Sequence, residues 1–165
     1  MNTLDLSAVE IRGGPLNLVS DAEIDGLEER LQCTFPQGYR EFMTHLGEGT
    51  ISNFVRVLPP WRILEYLDEH RGLMGGYWSW ESPEVPFGQE DAMASIPLAE
   101  TLQGDVLVFH PSNPQAIYVL PRHEERLHVL GPGLLEAIAW ASTPGRLGDV
   151  APAMYFEPQS KQWSP

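Results

Sequence analysis

Apolar and polar positions recur with helical spacing near the start of the chain. In the segment 20–31 the apolar residues that recur every three or four positions are Ile24, Leu27 and Leu31. Ser20 and Glu23 have the spacing of a capping box, in which each residue satisfies the backbone amide of the other. This pattern predicts an amphipathic helix that begins at Ser20 and turns one face to a core.

Two further segments have the same periodicity. Pro36 favours a first helical position, and the helix that follows should end at Gly47 and Gly49. The segment 59–72, PPWRILEYLDEHRG, carries a proline near its start and a glycine at its end. Its apolar residues at helical spacing are Trp61, Leu64 and Leu67. We therefore expect a second helix from about Pro36 and a third that ends near Gly72.

Most of the remaining pattern is typical of strands. The segment Ile51–Leu58 is rich in β-branched and aromatic residues and predicts one strand. Four later segments predict an antiparallel meander: ASIPLAE, DVLVFH, AIYVLPR and RLHVL. After the third predicted helix, the Gly- and Pro-rich segment 72–92 predicts a long loop. A last helix should follow GPG at 131–133, and MYF at 154–156 could add a strand.

Helices and strands in this order indicate an α+β fold. Neither the strict alternation of a doubly wound sheet nor an all-β barrel fits, so we expect a mixed, mostly antiparallel sheet packed against several helices. The chain has 165 residues, of which 42% are hydrophobic. That length and composition suit one domain, residues 1–165, with a core that needs neither metal nor disulfide.

The charge of the chain limits its partners. A net charge of −13 repels phosphate backbones and anionic lipid, so we expect neither nucleic acid nor a membrane as a partner. The N-terminus lacks the pattern of a signal peptide, no apolar run is long enough to cross a bilayer, and Cys33 has no second cysteine to pair with. We therefore expect a cytoplasmic protein. Between Gly72 and Pro121 there is no Lys or Arg to neutralise the acidic residues.

Motifs that could indicate an enzyme fail on their spacing. His123 and His128 are five residues apart in a turn that leads to a strand, whereas a zinc protease helix needs them four apart. GPG at 131–133 resembles a dinucleotide loop, but Glu136 stands where a third glycine is needed. We therefore assign no catalytic residue, no metal ligand and no cofactor. Two remote alternatives stay open: a metal cluster that His110 completes in space with these histidines, and a hydrolase whose site assembles only in space.

An acidic aromatic segment is the candidate binding surface. On a strand, Trp78 and Trp80 would share one face, where they would either join the core or, if exposed, anchor a partner. The partner-binding residues predicted here are Trp78, Trp80, Glu81, Glu84, Glu90, Asp91 and Asp105. A second candidate is the acidic face of the third predicted helix, with Glu65, Asp68 and Glu69.

The stretch SDAEIDGLEERLQCTFPQGYREFMTHLGEG, from Ser20 to Gly49, resembles the opening of the SUKH superfamily. The similarity lies in the capped acidic helix, the turn FPQGY at 35–39 and the glycine exit at 47–49. Further on, Gly104-Asp105 and GPGLLEAIAWA resemble the strand junction and closing helix of that family. The similarity covers about 19–141, which we take as the core, with 1–18 and 142–165 as peripheral extensions.

The resemblance implies a scaffold without catalytic activity. Members of the superfamily serve widely as immunity proteins against secreted bacterial toxins, and some eukaryotic relatives regulate cell-wall synthesis. An acidic chain would suit a basic toxin, because opposite charge speeds association. The resemblance therefore favours a bacterial immunity protein that binds and neutralises a cognate toxin. An intracellular regulatory or scaffold protein of the same fold is the alternative.

Overall fold

The structure is a computed structural model that describes residues 3–81, 85–150 and 153–159. The described residues form five helices: α1 (Asp21–Leu31), α2 (Tyr39–His45), α3 (Pro60–Gly76), α4 (Gln89–Ala94) and α5 (Leu134–Ala141). They also form eight strands: β1 (Glu10–Ile11), β2 (Gly49–Ile51), β3 (Val55–Val57), β4 (Ile96–Thr101), β5 (Val106–His110), β6 (Asn113–Leu120), β7 (His128–Leu130) and β8 (Tyr155–Pro158). The predicted α+β fold is confirmed.

All eight strands belong to one sheet, in the order β1-β8-β2-β3-β4-β5-β6-β7. β1 and β8 are parallel, and the other neighbouring pairs are antiparallel. The sheet is therefore mixed and mostly antiparallel, as the sequence predicts. Strands β4 to β7 form the expected meander, because each pairs with the next along the chain.

The two ends of the chain contribute to this sheet. β8 lies between β1 and β2 and pairs with both. Phe156 of β8 is fully buried, and the same core contains Leu4, Val9 and Val150. Residues 10–11 and 155–158, which fall within the segments 1–18 and 142–165 expected to be peripheral, therefore lie in the sheet. The alternating pattern of so short a strand says nothing about which distant strands will flank it.

The segment predicted as one strand over Ile51–Leu58 forms two. Ser52 and Asn53 adopt the left-handed conformation, with φ of 51° and 49°, and reverse the chain between β2 and β3. Ile51 then pairs with Val55. Asn tolerates this conformation better than most residues, so a tight turn replaces the continuous strand that composition favoured.

Helix boundaries follow local hydrogen bonds. At α1 the predicted capping box is present: Glu23 N donates to Ser20 Oγ at 3.2 Å, and Ser20 N donates to Glu23 Oε1 at 3.4 Å. α2 begins at Tyr39 rather than near Pro36, with Gly38 as its N-terminal cap. α3 continues past Gly72 to Gly76, and α4 occupies part of the segment that was expected to be a loop.

The central strands bury side chains on both faces of the sheet. On the first face, apolar residues of β5 and β6 pack with those of α1, α2 and α5: Leu107, Phe109, Ile117 and Val119. On the second face, Val108, Tyr118 and Leu120 pack with Met74 of α3 and with Phe87. This period-two alternation divides the interior into two clusters, and the second is covered by α3, by α4 and by Trp78, Trp80, Val85 and Phe87.

Candidate functional site

A groove of about 540 Å³ opens on the second face of the sheet, beside α3. Cavities of this size are typical of sites that bind ligands or partner side chains. Its walls are mainly aromatic and aliphatic, with one carboxylate and one guanidinium. The lining residues are Tyr66, Leu73, Met74, Tyr77, Trp80, Glu100, Gly104, Val106, Leu120 and Arg122.

The floor of the groove is a row of side chains that crosses three strands. Glu100 of β4 pairs in register with Val106 of β5, which pairs with Leu120 of β6. Residues opposite one another in neighbouring strands point to the same face. Gly104, in the turn between β4 and β5, and Arg122, just after β6, line one end of the groove.

One side of α3 forms the opposite wall. Tyr66 and Leu73 are seven residues apart in α3 and share one side of the helix. Tyr77, four residues after Leu73, is the C-cap of α3, and its N–H donates to the Leu73 carbonyl oxygen. Leu73 is 39% exposed and Tyr77 is 75% exposed. An aliphatic and an aromatic side chain are therefore presented to solvent beside the opening of the groove.

The two tryptophans of the acidic aromatic segment lie against each other and are half-buried. Their ring centroids are 5.2 Å apart, and Trp78 also contacts Phe87 at 6.0 Å. Trp80 Nε1 donates a hydrogen bond of 2.9 Å to the carbonyl oxygen of Pro121. This bond fixes the Trp80 ring as a wall of the groove, while Trp78 covers the second core cluster.

Carboxylates create a negative field at the Tyr66 end of the groove. Burial raises the pKa of Tyr66, and the charges of Glu69 and Glu100 raise it further. The Arg62 guanidinium stacks over the Tyr66 ring at 5.3 Å and opposes this effect. The charges of Glu69 on the helix and of Glu100 on the sheet therefore both act on the Tyr66 hydroxyl.

Comparison with known proteins identifies the domain. The model of the SMI1 / KNR4 family (SUKH-1) matches residues 18–139. This chain belongs to that family. The match confirms the SUKH resemblance and spans every residue that lines the groove. The family includes immunity proteins and KNR4 regulators and is generally non-catalytic. Among curated proteins, none matches the chain.

The acidic residues predicted on α3 of this SUKH-1 domain point in different directions. Glu69 adjoins the groove through Tyr66, whereas Glu65 pairs with Arg62 at 3.2 Å on the same side of the helix. Asp68 follows Tyr66 by two residues, about 200° of helical rotation, and therefore projects away from the groove. It lies 3.8 Å from Arg71. Only part of this predicted face borders the groove.

The acidic residues predicted further along are also dispersed. Glu81 is exposed and forms a backbone bridge with Arg126, while Glu90 is exposed on α4. Asp91 accepts a hydrogen bond from Gly88 N at 2.9 Å and thereby caps α4. Glu84 lies outside the described residues.

Asp105 needs a correction, since it was predicted on the partner surface. Its side chain is buried, with the residue only 2% exposed. It accepts hydrogen bonds from Thr101 Oγ1 at 2.5 Å and from Arg122 N at 2.9 Å. Asp105 therefore joins the β4–β5 turn to the end of β6, and a partner cannot reach it.

Side chains that could form a hydrolytic site do come together at His110. Ser112 Oγ lies 2.7 Å from His110 Nδ1, and Asp91 Oδ1 lies 3.9 Å from Nε2. Ser112 N also donates to Nδ1 at 3.2 Å, so the lone pair that would act as a base is shared with a backbone amide. The Asp91 distance exceeds a hydrogen bond. Within the described ranges, no group of three or more His, Cys, Asp or Glu residues could hold a metal ion.

Several groove residues could not be recognised from the sequence pattern. Leu73 and Tyr77 lie beyond Gly72, where the third helix was expected to end. They follow Tyr66 by seven and eleven residues. This helical spacing could have indicated that the same side of the helix continues beyond Gly72. Val106, Leu120 and Arg122 join the site only through strand register. Across the described part of the chain, no helix is long and apolar enough to span a bilayer.

Proposed function

We propose that this SUKH-1 domain is a bacterial immunity protein that acts in the cytoplasm, where it binds a cognate toxin and neutralises it without catalysis. The toxin docks on the groove beside α3 and on its acidic rim. The observation that carries this proposal is the exposure of Tyr77 and Leu73 at the opening of an aromatic groove. Interfaces favour such side chains at their centre, surrounded by polar residues.

The charge of the protein supports a basic toxin. With a net charge of −13, the domain attracts cationic proteins over long range and speeds their association. The carboxylates of Glu65 and Glu69 add a local contribution at the rim of the groove. Aromatic anchors then slow dissociation, because they remain buried once the complex has formed.

Binding kinetics with the protein encoded by the adjacent gene test this proposal. Tyr77→Ala should raise the dissociation rate about tenfold, since truncating a central aromatic side chain typically costs more than 1 kcal/mol. Glu69→Lys should lower the association rate and weaken its dependence on salt. Asp68→Lys is the matched control, because it makes the same charge change at the neighbouring residue, which projects away from the groove.

The outcome separates the candidate functions. If the neighbouring gene product forms no complex with the wild-type domain, the immunity proposal is wrong, and a regulatory or scaffold protein of the same fold takes its place. If a complex forms but Tyr77→Ala and Glu69→Lys bind like the wild type, the toxin docks on another surface. Protection of cells that express the toxin would show neutralisation directly.

A further inference from the structure

Glu100 is a partly exposed carboxylate in the floor of the groove. Its side chain is 27% exposed, and Arg56 Nη1 lies 3.9 Å from Oε1, beyond hydrogen-bonding distance. Among the described residues, no donor makes a hydrogen bond to either oxygen of this carboxylate. Arg56, which stands opposite Glu100 in register, forms a long ion pair with it, and a cationic donor that enters the groove would add the direct hydrogen bonds that this pair lacks.

The surroundings of Glu100 suit a cation on an apolar stem. The aromatic residues Tyr66, Tyr77 and Trp80 line the same groove, and aromatic faces attract ammonium and guanidinium groups. Leu73, Val106 and Leu120 provide aliphatic surface between them. Lysine and arginine place methylene groups on apolar surface while their charged ends reach a polar group.

We propose that the Glu100 end of the groove binds one arginine or lysine side chain of the partner protein. This inference rests on the proposed function, because it assigns the chemistry by which the groove recognises its partner. The methylene stem lies along Leu73 and Val106. The charged end donates hydrogen bonds to the Glu100 carboxylate beside the Tyr66 ring.

Arg122 places a positive charge in the lining of the groove. Its side chain packs on Gly104, where a Cβ would lie 2.8 Å from Arg122 Cδ, and Gly104 has a φ of +96°. No carboxylate in the described part of the chain forms an ion pair with Arg122. The guanidinium therefore repels a second cation at this end and can donate to a backbone carbonyl of the partner. Because Glu100 is the one carboxylate among the described residues that line the groove, the charged end of a basic side chain is attracted toward it.

Small probes test this proposal without any toxin. N-acetyl-L-arginine methylamide is titrated into the domain, with the indole N–H signal of Trp80 as the NMR readout. N-acetyl-L-citrulline methylamide is nearly the same shape but neutral. The arginine probe should shift the Trp80 signal and bind about tenfold more tightly than the citrulline probe, because hydrogen bonds to charged groups are the stronger ones.

Variants show whether Glu100 provides the selectivity. Glu100→Gln should abolish the preference for arginine, whereas Glu90→Gln, the matched change on the exposed surface of α4, should leave it intact. Thermal melting checks that both variants fold. Equal binding of the two probes, a preference that survives in Glu100→Gln, or tighter binding of N-acetyl-L-glutamate methylamide would each overturn the proposal. A toxin complex that forms despite such a result would leave the proposed function standing.

Discussion

The hydroxyl group of Tyr39 donates a hydrogen bond of 2.8 Å to the carbonyl oxygen of Leu58. Tyr39 begins α2, and Leu58 lies between β3 and α3, so one bond connects elements from both sides of the β2–β3 hairpin. Both residues are fully buried. Burial raises the pKa of Tyr39 well above its usual value, which keeps the hydroxyl protonated as a donor.

Removal of this hydroxyl should destabilise the domain. Tyr39→Phe leaves the Leu58 carbonyl without this donor, and we expect the free energy of unfolding to fall by about 1–2 kcal/mol. Urea denaturation measures the change. Tyr77→Phe is the control, because Tyr77 is 75% exposed and water replaces any bond it loses. Equal stability of the two variants would show that the buried bond contributes nothing.

His70 should make the stability depend on pH. It is fully buried in α3, and Ser95 Oγ lies 3.0 Å from its Nε2. Burial lowers the pKa of His70 from 6.5 to about 4. Between these values the unfolded chain binds the proton more readily than the folded one. The stabilisation is therefore complete above pH 6.5 and is lost as the pH falls toward 4.

A non-titrating variant isolates this contribution. Between pH 7.5 and pH 5, the wild type should lose about 2 kcal/mol more stability than His70→Gln does. Urea denaturation at the two pH values gives the difference. His123→Gln, which changes an exposed histidine, should behave like the wild type. The assignment to His70 would fail if His70→Gln retained the full pH dependence.

Two glycine substitutions should have opposite effects on stability. At Gly47, φ is +77° and a Cβ would lie 2.1 Å from the carbonyl oxygen of Asn17, so Gly47→Ala should cost about 3 kcal/mol or more. Gly26 lies within α1 and a Cβ there would meet nothing within 4 Å. Gly26→Ala should stabilise the domain by about 0.5–1 kcal/mol. Thermal melting of both variants measures these shifts, and equal signs would contradict the argument.

The Ser112, His110 and Asp91 side chains should not hydrolyse esters. The Asp91–His110 distance of 3.9 Å leaves the imidazole without a carboxylate hydrogen bond to orient it. We expect no turnover of p-nitrophenyl acetate above the background rate, with Ser112→Ala as the matched control. Hydrolysis by the wild type that disappears in Ser112→Ala would establish a hydrolytic site here and would contradict a purely binding role.

The tryptophan pair shows which structural features a local sequence pattern can predict. The alternation of Trp78 and Trp80 predicts that they share one face, and the structure brings their rings within 5.2 Å. The pattern could not decide between burial and exposure, and the residues are half-buried. That outcome depends on Phe87, Met74 and the second face of the sheet, which approach from other elements.

The sequence by itself determined α1, α2, the β4–β7 meander and the SUKH resemblance. Caps, helical spacing and strand alternation act between residues that are close along the chain, so they can be read locally. Only the tertiary structure decided that β8 lies between β1 and β2, that Asp105 is buried, and that Tyr66, Glu100 and Arg122 line one groove. These relationships arise from strand pairing and helix packing between distant segments, where burial of apolar surface outweighs local preference.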